Sequence, residues 1–315
     1  MLTVKRFLLG ILTIFLGACS MFQRPATPQP TPLPATPTLA VPTPVVPTPL
    51  PDAPGISPED VRNSEYQLGF SDQIRTVQLT DGKYQENSAD GTGYLSVSVT
   101  DFIARGDLNG DGENEAVAIV AEDYGGSGTF VFLAVYQYLN DKAVFLTSIF
   151  LDDRPRINHL AVEKGEIFVD IVIHGKDDPM CCPTLATTRK YLLNGVNLIL
   201  TNYTTETPAG QPREITIDAP VEGAQVSGII RLLGNITIAP FENNLVYRVY
   251  DLGGVELSAG PVNVEATDLG APGRFEKAID LGNIITNTTV RIEVQDINVA
   301  DGSLFAMDSV MLIVR

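Results

Sequence analysis

Tryptophan is absent from this 315-residue chain, histidine occurs twice and cysteine three times. Each shortage excludes something. Without tryptophan, a sugar-stacking platform would have to rest on the ten tyrosines and thirteen phenylalanines. Neither histidine, His159 nor His174, has a nucleophile motif near it, so no Ser–His or Cys–His arrangement is legible. The cysteines are Cys19, Cys181 and Cys182, and the C-x-x-C spacing of thiol oxidoreductases is missing. Positive charge is scarce as well: 21 Lys and Arg stand against 38 Asp and Glu, a net of −17. Nucleic-acid binding draws most of its affinity from clustered cations on phosphates, so that partner class is excluded. Helical periodicity is nearly absent, which excludes the alternating β and α units of a periplasmic solute receptor. No repeat recurs at blade spacing, which excludes a propeller.

The N-terminus is rich in what the rest lacks. Lys5 and Arg6 precede an apolar run, Phe7 to Leu16, too short to span a bilayer comfortably. "LGAC" follows, ending at Cys19. This segment resembles the lipobox of bacterial lipoproteins, which implies cleavage after residue 18, lipidation of Cys19 and a membrane anchor facing outside the cytoplasm, on the cell or outer membrane. An ordinary signal peptide and an uncleaved anchor are the alternatives. Loss of Lys5 and Arg6 with residues 1–18 would leave 19 basic and 38 acidic residues, and 19 − 38 gives −19. Residues 19–55 then form a Pro/Thr-rich linker, with proline every two or three residues over most of it. Such a segment favours polyproline II and would reach on the order of 100 Å if fully extended.

"RGDLNGDGENEAVAIV", Arg105 to Val120, places Asp107, Asn109 and Asp111 at positions one, three and five, Gly112 at six and Glu115 at nine. Alternating residues in a tight loop aim their oxygens at one centre, and a hard cation takes six to eight of them. Glu113, at seven, would lend its backbone carbonyl. Three carboxylates this close repel one another unless a cation sits between them. An EF-hand needs a bidentate Glu at twelve, but Ala118 stands there and a strand follows. The loop resembles the calcium loops of FG-GAP and integrin-type repeats, which implies calcium as the bound ion. An Asx-rich turn without metal is the alternative.

The fold class is mainly β. Residues 56–204 read as a β-rich meander or sandwich, with strands expected at 74–80, 94–100, 115–121, 129–139, 143–150, 159–163, 166–173 and 189–194. Only 57–63, "SPEDVRN", looks helical, starting from a capping serine and a first-turn proline. The glycine-rich "DYGGSGTF" (123–130) lacks the signature of a P-loop or a nucleophile elbow and reads as a hairpin or bulge. In "HGKDDPMCCPT" (174–184), Cys181 and Cys182 would close an eight-membered disulfide ring in an oxidising compartment. Reduced thiols, a link to another chain and a soft-metal site with His174 remain alternatives. The stretch from 61 to 203 is similar to a domain of uncharacterised bacterial extracytoplasmic lipoproteins.

Residues 212–315 alternate short strands with Gly, Asp and Asn turns, the pattern of a β-sandwich. Phe241-Glu242, Asp251 to Gly254, Phe275-Glu276 and Asp301-Gly302-Ser303 follow one another in order. This order resembles the immunoglobulin-like domain associated with bacterial spore germination proteins. The resemblance implies binding or scaffolding and no catalysis. Two functions follow as expectations. One is a calcium-stabilised, lipid-anchored protein that binds a cell-surface protein or polysaccharide. The alternative is an extracytoplasmic hydrolase working through a carboxylate pair on an envelope or polysaccharide substrate.

Overall fold

Gly55 is the first residue described in the computed structural model, which covers residues 55–70, 75–88, 93–140 and 142–315. The expectations for 1–18, for Cys19 and for nearly all of the linker lie outside the described residues. Ser57 caps α1 (Pro58–Arg62) in a capping box: its hydroxyl accepts from the Asp60 N–H while the Asp60 carboxylate accepts from the Ser57 N–H. Pro58 occupies the first turn, where its missing N–H costs nothing. The rest is strand: among the described residues strands take 63% and helix 2%, so the fold is mainly β.

β1 (Glu65–Gln67) and β2 (Thr76–Gln78) form a small antiparallel pair. β3 (Lys83–Asn87), β4 (Tyr94–Gly106), β5 (Glu115–Asp123), β6 (Phe130–Leu139) and β7 (Lys142–Asp153) form a five-stranded antiparallel meander in that order. β8 (Arg156–Glu163), β9 (Glu166–Ile173), β10 (Leu185–Asn194) and β11 (Asn197–Glu206) continue as a second meander. Lys164 and Gly165 both have positive φ between β8 and β9, as a two-residue hairpin turn requires.

β5 explains why "AVAIV" shows no alternation. Ala116, Ala118 and Val120 pack on one core with Tyr66, Val77 and Tyr136, while Val117 and Ile119 pack on a second with Leu160, Ile167 and Val169. A strand buried on both faces reads as a continuous apolar run.

The C-terminal part begins with β12 (Pro212–Arg213), β13 (Ile215–Ala219), β14 (Gln225–Val226) and β15 (Ile229–Ile236). β16 (Asn244–Asp251), β17 (Glu256–Ala266), β18 (Gly273–Asp280), β19 (Thr288–Ile297) and β20 (Leu304–Val314) complete it. β13, β15 and β18 form one layer, and β16, β19 and β20 the other. β17 belongs to both, pairing with β16 up to Asn263 and with β18 from Val264 onward. Leu232, Val249, Ile292 and Leu312 lie in the core between these layers. This is a β-sandwich with its own core.

The two β-rich parts share hydrogen bonds though not a core. β11 pairs with β20 at Asn202↔Asp308, Tyr203↔Met307 and Thr204↔Ala306, so one sheet runs from β8 into the sandwich. The joint is polar and satisfied: Asp308 accepts from Asn202 Nδ2 and from the Ile217 N–H. Arg291, nearly buried, donates to the Leu200 carbonyl across it.

Several strands depart from the sequence pattern. Of the expected 74–80, residue 74 lies outside the described residues and Thr76–Gln78 forms β2, while β1, β3 and β11 were not anticipated. β4 runs past 100 to Gly106 because a register shift between Val99 and Ile103 breaks its alternation without ending the strand. Among the described residues, no helix is long and apolar enough to cross a membrane.

Candidate functional site

Gly106 on β4 faces Glu115 on β5, so the two strands present residues 107–114 as one hairpin loop. Gly106 must be glycine, because a Cβ there would meet Val162 Cγ1 at 2.4 Å. Gly110 and Gly112 turn the loop at φ of +82° and +89°.

The side chains expected at positions one, three, five and nine form one network. Asp107 accepts the N–H groups of Gly110 (2.6 Å) and Gly112 (3.0 Å). Asn109 Oδ1 accepts the Asp111 N–H at 2.8 Å, and its Nδ2 donates to Asp111 Oδ2 (2.9 Å) and Glu115 Oε1 (3.2 Å). Asp111 Oδ1 accepts the Glu113 N–H at 2.8 Å, and Glu115 Oε2 accepts the Leu108 N–H at 2.9 Å. Glu113 enters this network through its backbone.

Glu115 is buried while Asp107 and Asp111 are not fully covered. Burial, opposed by the Leu108 N–H, holds its carboxyl above the usual range, and the charges of Asp111 and Asp107 raise it further. An acid whose folded pKa is raised loses stability as pH climbs through that range, because ionisation is harder in the folded state. A bound cation removes that penalty. Each carboxylate offers about four lone-pair sites, and the loop N–H groups use only one or two of them. Among the described residues no group of three or more His, Cys, Asp and Glu side chains is already arranged as a metal centre. The loop oxygens are held instead by its own N–H groups. One end of the loop is tied to the start of the body: Gly55 bridges to Asn114, and the Ile56 N–H donates to the Asn114 carbonyl.

A second constellation lies between β9 and β10. Cys181 and Cys182 are joined to each other, and both are exposed. His174 is not a partner of the cysteines. Its Nδ1 lies 2.9 Å from Asp152 Oδ2, and the same oxygen accepts its backbone N–H at 2.6 Å. Asp178 organises the loop by accepting the N–H groups of Gly175 and Thr184 and the Thr184 hydroxyl. Lys176 ties it to Asp301 in the β19–β20 turn at 2.8 Å, and Asp301 is pulled down to about 2 by Lys176 and Ser303.

Hydrogen bonding to Asp152 raises the His174 pKa. A raised histidine contributes stability that is complete below about 6.5, its unfolded value, and is lost as pH rises through the higher folded value. Asp152→Asn should lower the His174 midpoint in an NMR titration. An unchanged midpoint would show that the pair does not set it.

A third feature escaped the sequence reading. Glu122, fully buried at the end of β5, accepts from the Tyr66 hydroxyl (2.6 Å), the Tyr124 hydroxyl (2.5 Å) and the Gly69 N–H (2.9 Å). Burial first, and then Glu122, drives both phenols well above the usual tyrosine range. A signal was present: 116, 118, 120 and 122 share one face of β5, so Glu122 continues the apolar series Ala116, Ala118, Val120. The neighbouring glycine-rich stretch is the β5–β6 connection, with Gly125 at φ of +79° donating to Asp123 Oδ1.

The residues behind the germination-associated resemblance spread over the sandwich. Phe241 and Glu242 occupy the turn before β16, and Asp251 to Gly254 form the β16–β17 turn. Phe275 is buried on β18, and Asp301 to Ser303 form the β19–β20 turn. At one end of the sandwich, Phe241 (81% exposed), Leu269 (64%) and Val299 (93%) ring a cavity of about 460 Å³. At this cavity, Arg213 pairs with the buried Asp296 and stacks on Phe305. No family model and no curated protein matches the chain.

Proposed function

We propose that this chain is a non-enzymatic extracytoplasmic lipoprotein, anchored through Cys19, whose calcium-stabilised β body binds or scaffolds a partner at the cell surface. The observation that carries it is the place of the oxygen-rich loop. Gly55 bridges to Asn114 at the point where the proline-rich linker reaches the body in sequence. Calcium bound by Asp107, Asn109, Asp111 and Glu115, with a carbonyl of Glu113, would brace the body where the linker joins it. Such a cation supplies charge neutralisation and rigidity and needs no reacting group.

Two further features support a binding role. The β11–β20 pairing carries the sheet of β8 to β11 into the sandwich, which suits display of a surface at a fixed orientation. The apolar ring of Phe241, Leu269 and Val299 is an exposed cluster of the kind that meets a partner. Its chemistry favours a protein surface over a polysaccharide. The motif order resembles the germination-associated immunoglobulin-like domain, and binding is the role that resemblance implies.

The anchor is tested by expressing the full chain with its own signal and separating membranes from soluble material. Wild type should sediment with membranes and be released by detergent, and Cys19→Ser should be soluble. Identical partitioning of the two would overturn the anchor.

A further inference from the structure

Disulfides in extracytoplasmic proteins are usually staples. They stabilise by closing a long loop in the unfolded chain, and the gain grows with the loop's length. The Cys181–Cys182 bond has a sequence separation of one, so it closes almost nothing. Nor does the loop need it for its shape. Asp178 joins Gly175 to Thr184 across the base, Asp152 holds His174 at one end, and Lys176 reaches Asp301 at the side. The Cys182 N–H donates to the Pro179 carbonyl, which closes the turn without the sulfurs. Both cysteines are exposed at the tip, and Met180 beside them is 64% exposed. A bond that holds nothing together and faces solvent is placed for chemistry.

We propose that Cys181 and Cys182 form a thiol–disulfide exchange site, a two-electron centre that external thiols reduce and oxidants re-form while the fold stays intact. An external thiolate attacks one sulfur, the ring S–S bond breaks, and a mixed disulfide forms beside a free thiolate on the neighbouring cysteine. A second external thiolate attacks the external sulfur of that mixed disulfide. The products are two protein thiols, with protons taken from the attacking thiols, and one external disulfide. The protein disulfide is reduced and two external thiols are oxidised, so atoms and electrons balance. Exchange of this kind depends on access and on the thiolate fraction of the attacking group, and both cysteine residues are exposed. The closed ring withholds both thiols from a partner or a soft cation, and the open pair offers them side by side. The centre is independent of the calcium loop and of the Cys19 anchor.

The test uses the full chain in detergent, equilibrated at neutral pH in glutathione buffers of graded ratio. Acid quench, alkylation and mass measurement of the peptide carrying 181 and 182 then count its free thiols. The labels should rise from zero to two as reduced glutathione increases, and fall back when the ratio is reversed. The melting temperature should change by less than about 2 °C between the end states. Cys181→Ser should accumulate a glutathione adduct on Cys182 in the same buffers, which shows the exposed sulfur reacting directly. Three outcomes overturn the proposal. One is a pair that stays unlabelled until the protein is denatured. Another is a fall in melting temperature of many degrees on reduction, which would make the bond a staple. The third is a pair that still takes two labels after equilibration in fully oxidising buffer.

Discussion

Glu122→Ala should lower the stability of the body by about 3–5 kcal/mol, measured as a shift in urea midpoint. Truncation leaves the Tyr66 hydroxyl and the Gly69 N–H without their acceptor. The orphaned Tyr66 hydroxyl is fully buried and costs about 1–3 kcal/mol. Gly69 is exposed, so that water can meet its N–H at little cost, and the lost side-chain volume adds a cavity term of about 2 kcal/mol. Tyr124 is partly exposed and can turn to water, so it adds little. For a body of this size each kcal/mol moves the melting temperature by about 2–4 °C, so the variant should melt roughly 10 °C lower. Tyr66→Phe removes one donor and keeps the ring against Phe145, whose centroid is 5.5 Å away. It should therefore cost less than Glu122→Ala. A loss below about 1 kcal/mol for Glu122→Ala would show that the carboxylate is not the centre of this polar cluster.

The elements visible in the sequence are those set by neighbours in sequence. The Ser57–Asp60 capping box lies within four residues, and α1 begins where those residues place it. β9 falls at the expected 166–173 because Lys164-Gly165 and the loop from His174 bound it on both sides. The oxygen-bearing loop was legible for the same reason, since Asp107, Asn109, Asp111 and Glu115 meet through bonds spanning two to seven residues.

What depends on distant pairing was not legible. The outer edge of β11 is occupied by β20, about a hundred residues away, and "NLILTNYTTE" alone shows no clean period. Asp152 and His174 are 22 residues apart, and Lys176 and Asp301 belong to different β-rich parts. Glu122 was hidden differently, as one acid next to another, Asp123, in a strand whose two faces are both buried. Which of the two acids points inward follows from register, and register is set by β4 and β6.

Calcium is expected to raise the melting temperature of the full chain, and Asp111→Ala should abolish the rise. Asp111 accepts from Glu113 and from Asn109, so it sits centrally among the loop's oxygens. A ligand present at 100 times its dissociation constant adds about 2.7 kcal/mol, which for this body corresponds to roughly 5–10 °C. The effect should be larger at pH 7 than at pH 5. The raised Glu115 carboxyl holds its proton longer there, and that proton competes with the cation. Glu113→Ala should retain the rise, because only the backbone of that residue serves the loop.

The direct measurement is calorimetric titration of calcium into chelator-treated protein at pH 7, with wild type and Asp111→Ala side by side. A saturable one-to-one isotherm in the wild type, lost in the variant, is the predicted result. The absence of any saturable heat in the wild type, together with melting temperatures that are equal in calcium and in chelator, would contradict a calcium-braced body.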